Sequence, residues 1–123
     1  NAVDFGDLRK KRKYISCMSN SVRAVAAGGG GGDATTQNTM MEFVTIASTG
    51  NAMNFGDCSD TNGTSGSGNS SSPTRGIFAG FYPSPAKIEY ITFATQGDAV
   101  DFGDLNYHGY YSGACSNGHG GLG

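Results

Sequence analysis

The stretch Asn1-Ala2-Val3-Asp4-Phe5-Gly6-Asp7-Leu8 returns as Asn51-Ala52-Met53-Asn54-Phe55-Gly56-Asp57-Cys58 and again as Asp98-Ala99-Val100-Asp101-Phe102-Gly103-Asp104-Leu105. The copies begin 50 and then 47 residues apart. Repeats at a period of about 50 residues belong to propellers and solenoids, in which one small unit recurs so that neighbours bury each other. Val3 and Phe5 alternate with Asp4, the period-two pattern of a strand, and the glycine marks a bulge or bend. The stretch reads as a short strand ending in a tight turn.

Outward from this stretch the neighbours repeat as well. Lys87 to Ala94 matches Met40 to Ala47 at an offset of 47, and from Glu42 to Cys58 eight of seventeen residues recur unchanged. Arg75-Gly76-Ile77-Phe78-Ala79-Gly80 matches Arg23 to Gly28 at an offset of 52. Met40 to Ala47 is rich in β-branched and aromatic residues and is the strongest strand by propensity. Tyr14 to Met18 is a weaker strand, Ser19-Asn20-Ser21 a turn, and Gly28 to Gly32 a loop that no regular element tolerates. Asp60 to Ser72 is a low-complexity polar loop. No segment carries helical periodicity.

Each period thus holds about four short strands, and Phe43 lies on the face opposite Val44 and Ile46, so cover is needed on both sides. Four-stranded sheets stacked around an axis supply it. The expected division is a partial repeat over 1–22, a repeat over 23–74 and a last repeat over 75–123. That makes roughly two and a half blades, where rings close at four to eight. Other copies, or a further part of the protein, would then complete the ring.

Composition agrees with many strands joined by polar turns. Hydrophobic residues make 37% and charged residues 15%, against 21 glycines. With no tryptophan, seven phenylalanines and six tyrosines supply most of the large apolar surface. Five of the eight basic residues form the block Arg9-Lys10-Lys11-Arg12-Lys13, leaving the rest acidic. The block is read as a solvated loop or charge-protected edge, in preference to a phosphate grip. Cys17, Cys58 and Cys115 lack a CxxC pair and read as small buried apolar residues in a reducing compartment.

The segments Arg75 to Gly80 and Ile88 to Thr92 resemble kelch-type propeller repeats. With the run from Ile88 extended to Leu105 and Ala114-Cys115-Ser116-Asn117 added the likeness sharpens, and they are more similar still to kelch-like repeat proteins of marine bacteriophages. The resemblance implies an all-β propeller-type fold and a non-enzymatic virion protein, either a tail fibre, a head fibre or a capsid decoration. Its implied place is the particle surface after synthesis in the bacterial cytoplasm. The implied partners are other copies of the chain, other virion proteins and a host-surface glycan, without nucleic acid, membrane insertion or cofactor. The competing readings are a carbohydrate- or protein-binding propeller module and a glycan-active propeller enzyme.

Among side chains, Tyr107, Tyr110, Tyr111, Phe81 and Tyr82 are the candidates for surface contact, since aromatic rings on loops stack on sugars and anchor interfaces. Packing between blades would explain them equally. The recurring aspartates Asp4, Asp7, Asp57, Asp101 and Asp104 read as turn residues rather than calcium ligands. His108 and His119 lack partners at zinc spacing. No GxSxG, HExxH, Walker or CxxC pattern points to catalysis.

Overall fold

The computed structural model describes residues 1–30, 39–59, 68–80, 86–107 and 113–116. Among them every regular element is a strand. The first sheet runs β1 (Ser16–Ser19), β2 (Arg23–Ala27), β3 (Met40–Thr45) and β4 (Met53–Asp57). The second runs β5 (Gly68–Ser71), β6 (Arg75–Ala79), β7 (Lys87–Thr92) and β8 (Val100–Asp104). Both are antiparallel meanders with strands in chain order. The all-β, four-strand repeat is therefore present. Its weakest strand comes first in each sheet, ahead of the arginine-led strand.

The repetition extends to single hydrogen bonds. In the first sheet the Asn20 side-chain oxygen accepts from the amides of Val22 and Arg23; in the second the Ser72 hydroxyl accepts from Thr74 and Arg75. These side chains mimic a backbone turn, which sets where the arginine-led strand begins. Ile46 donates its amide to Val22 as Phe93 does to Thr74, and Ser48 to Thr45 as Thr95 does to Thr92.

Three sequence expectations are corrected. The Phe-Gly-Asp stretch does not end its strand in a tight turn: β4 and β8 run through the glycine to Asp57 and Asp104. What the glycine accompanies is a bulge. Glu42 faces Asn54 while Met41 faces Gly56, leaving Phe55 as an extra residue, and Phe102 holds the same place between Asp101 and Gly103. The polar loop expected over Asp60 to Ser72 contains strand β5, since Gly68 to Ser71 pair with Ala79 to Gly76. Pairing to a strong neighbour outweighs poor intrinsic propensity, as sheets commonly allow. Of the three cysteines only Cys58 is buried; Cys17 and Cys115 are exposed, and all three are free thiols.

The sheets pack face to face. Met18, Val25, Ala27, Met41, Phe43 and Phe55 from the first, with Cys58, join Phe78, Ile91 and Phe93 in one buried cluster. Approach is close at β6, where a Cβ on Gly76 would lie 2.4 Å from the Met18 sulfur. Glycine there lets the Met18 side chain lie flat against the second sheet.

Candidate functional site

The first Phe-Gly-Asp copy belongs to neither sheet; it lies against the turn that opens β4. Gly50 and Ala52 donate their amides to the carbonyls of Phe5 and Asp7 at 2.8 and 2.9 Å, and the Asp7 amide donates to the Asn51 side chain at 2.9 Å. One period later Gly97 and Ala99 donate to Phe55 and Asp57 at 2.7 and 2.9 Å, and the Asp57 amide donates to the Asp98 carboxylate at 3.0 Å. The Gly-Asn-Ala and Gly-Asp-Ala turns are thus clasps onto the preceding Phe-Gly-Asp copy. A Cβ on Gly6 would sit 2.3 Å from the Gly50 carbonyl oxygen, and one on Gly56 2.1 Å from that of Gly97. Their φ angles of +143° and +154° also belong to glycine. Both constraints explain why this glycine recurs.

Each clasp ends at a buried glutamate. Glu42 and Glu89 are fully buried on β3 and β7. Glu42 accepts from the Arg9 amide at 3.0 Å and pairs with the Arg12 guanidinium, which also donates to the carbonyls of Gly28 and Met40. At the equivalent site Glu89 accepts from the amide and hydroxyl of Ser59. The basic block is accordingly divided. Arg12 is a buried counter-charge that offsets the cost of burying the Glu42 carboxylate, and Arg9 donates to the Asn54 side chain. Lys10, Lys11 and Lys13 remain exposed.

An arginine–aromatic–phenylalanine stack also occurs twice. The Arg23 guanidinium lies 4.7 Å from the Phe43 ring, which meets Phe55 edge-on at 5.9 Å. Arg75 lies 4.7 Å from Tyr90, which meets Phe102 edge-on at 6.0 Å. In the first sheet the stack is covered by the second, and Phe55 is 2% exposed. In the second sheet Phe102 is 54% exposed, and a Cβ on Gly103 would meet nothing within 4 Å. Among the described residues no clasp lies on the third copy.

Of the predicted contact residues, Tyr107 is 83% exposed just past β8, beside this open copy. Tyr110, Tyr111, Phe81 and Tyr82 lie outside the described residues, as do His108 and His119. Asp4 and Asp101 each accept the amide two residues on, from Gly6 and Gly103, while the Asp57 carboxylate accepts from the Thr39 hydroxyl. Among the described residues no three His, Cys, Asp or Glu side chains gather as a metal site. A largely apolar cleft of about 290 Å³ opens between the sheets, lined by Val22, Arg23, Pro73, Thr74 and Phe93.

Sequence reasoning found the repeating glycine but not the clasps, the buried glutamates or the open stack. The clasp could have been sought in the recurrence of Gly-[Asn/Asp]-Ala ahead of each later copy. No protein-family model matches this chain, and no curated protein matches it in sequence.

Proposed function

We propose that this chain is a non-enzymatic structural protein of a bacteriophage particle, a fibre or decoration component serving in assembly or host-surface attachment. On this reading its sheets are blades of a kelch-like propeller completed by further blades. The observation that carries the reading is the clasp between successive Phe-Gly-Asp copies, a backbone joint used twice along one chain. A joint of this kind adds like to like, the logic of repeat proteins and fibres. Support also comes from the resemblance of Arg75 to Gly80 and Ile88 to Leu105 to phage kelch-like repeats. The test is immunogold labelling and peptide mass spectrometry of particles purified from the culture that makes the chain. Labelled particle surfaces are expected; absence of the chain from purified particles would refute a virion role.

A second reading, a carbohydrate-binding module, is favoured by one observation, the Tyr107 ring at 83% exposure. Stacking of a sugar on such a ring is worth only a modest affinity, so a glycan array with Tyr107→Ala as control would separate the two readings.

A further inference from the structure

We infer that the outer face of the second sheet is a docking site for the first sheet of another copy of this chain, joined head to tail. The chain itself shows how such a face is covered. Residues Val25, Ala27, Met41, Phe43 and Phe55 are buried by the second sheet, and their repeat equivalents are Ile77, Ala79, Ile88, Tyr90 and Phe102. None of these five is buried in the single chain. The surface that would cover them also exists. The second sheet meets the first through Gly76, Phe78, Glu89, Ile91 and Phe93, whose equivalents Ala24, Ala26, Glu42, Val44 and Ile46 make the other face of the first sheet. There Ala24, Ala26 and Val44 are half-buried and Ile46 is 44% exposed, while Glu42 is covered by the chain's own Arg9 and Arg12.

The polar joints have counterparts too. The Arg23 guanidinium donates to the Phe93 carbonyl within the chain, so Arg75 would donate to the Ile46 carbonyl of the second copy. The carbonyls of Phe102 and Asp104 would accept from Gly50 and Ala52 of that copy, as Phe55 and Asp57 accept from Gly97 and Ala99. One obstacle is built in. Within a single chain Gly50 and Ala52 are already held by Phe5 and Asp7, in a segment whose residues are all exposed. Docking therefore exchanges Asn1 to Leu8 for Val100 to Leu105 of the neighbour, the same motif backed by a whole sheet. A heterologous joint of this kind propagates into rings or filaments rather than stopping at a dimer.

The exchange predicts opposite effects for two glycines of nearly equal backbone strain, Gly6 at φ +143° and Gly103 at φ +141°. Gly6→Ala expels the resident segment and frees the clasp. Gly103→Ala leaves its own chain uncrowded but blocks the joint to a neighbour. Sedimentation velocity over a concentration series reads both, with circular dichroism confirming strand content. The parent is expected to form concentration-dependent oligomers, Gly6→Ala to associate at about tenfold lower concentration and Gly103→Ala at about tenfold higher. Phe102→Asp, on an exposed side chain, should weaken association as Gly103→Ala does. A parent that stays monomeric, or glycine variants that shift in the same direction, would overturn the inference. It rests on the sheet geometry and not on a virion origin, so such a result would leave the particle-labelling test unaffected.

Discussion

Cys58 stands where the other copies have leucine, and its buried thiol feels the negative charges of Glu89 and Asp57. Burial first, then these two negative charges, push its pKa from 9.0 up to about 12. A raised value means the folded state holds its proton where the unfolded chain has lost it. The contribution is therefore fully present below about pH 9 and is lost as pH rises toward 12. Unfolding stability should fall by up to about 1.4 kcal/mol per pH unit across that window. Denaturant titrations of the parent and Cys58→Val at pH 8 and pH 10.5 check this, with the extra alkaline loss absent from the variant. Arg12 supplies the second residue-scale test. Its guanidinium and Glu42 have no exposed side-chain surface, so Arg12→Leu leaves a buried carboxylate without its counter-charge. Loss of one partner of such a pair costs about 3–5 kcal/mol, and urea unfolding of Arg12→Leu should show it. An exposed member of the same block, Lys11→Ala, should stay within about 0.5 kcal/mol of the parent.

At the scale of the element, the clasp explains a repeat that strand propensity alone does not. A Cβ on Gly56 would overlap the Gly97 carbonyl at 2.1 Å, and backbone cannot move aside as a flexible side chain can. Gly56→Ala should therefore cost more than the roughly 1–3 kcal/mol of a strained φ alone. The counterpart Gly103→Ala carries the strain without the overlap within one chain, so the difference between their melting curves at a concentration below self-association isolates the clasp. These elements were legible in the sequence to different depths. Strands β2, β3, β4, β6, β7 and β8 were visible because Arg23, Phe43, Phe55 and their counterparts recur at fixed offsets. Strand β5 was not, because Asn69, Ser70 and Ser71 have the composition of a loop and become a strand only by pairing with Ile77 and Phe78. The bulge was anticipated at the glycine, yet the strand's continuation past it depends on partners 15 or more residues away in β3 and β7. The burial of Arg12 within a run of five basic residues depends on a similarly distant contact, the Glu42 carboxylate.

For the whole molecule, the decisive feature is that one core spans two sheets that share no strand. Met18, Val25, Phe43 and Phe55 reach it from one side, Phe78 and Ile91 from the other. Neither sheet of four short strands buries both of its faces alone, and a small unit in that position is marginal. The sheets should therefore unfold together. Phe78 is the sharpest probe, because it is fully buried on β6 while its equivalent in the first sheet is the small Ala26. Truncation of a buried phenylalanine costs about 3–5 kcal/mol. If the core is shared, Phe78→Ala destabilises β1 to β4 as much as β5 to β8. Hydrogen exchange read by mass spectrometry on peptides from Met40–Thr45 and Lys87–Thr92 distinguishes the outcomes. Equal loss of protection in both peptides is expected. Full protection retained in Met40–Thr45 while Lys87–Thr92 exchanges freely would mean that each sheet is its own folding unit. The clasp at Gly97 would then be a contact between independent modules rather than part of one cooperative fold.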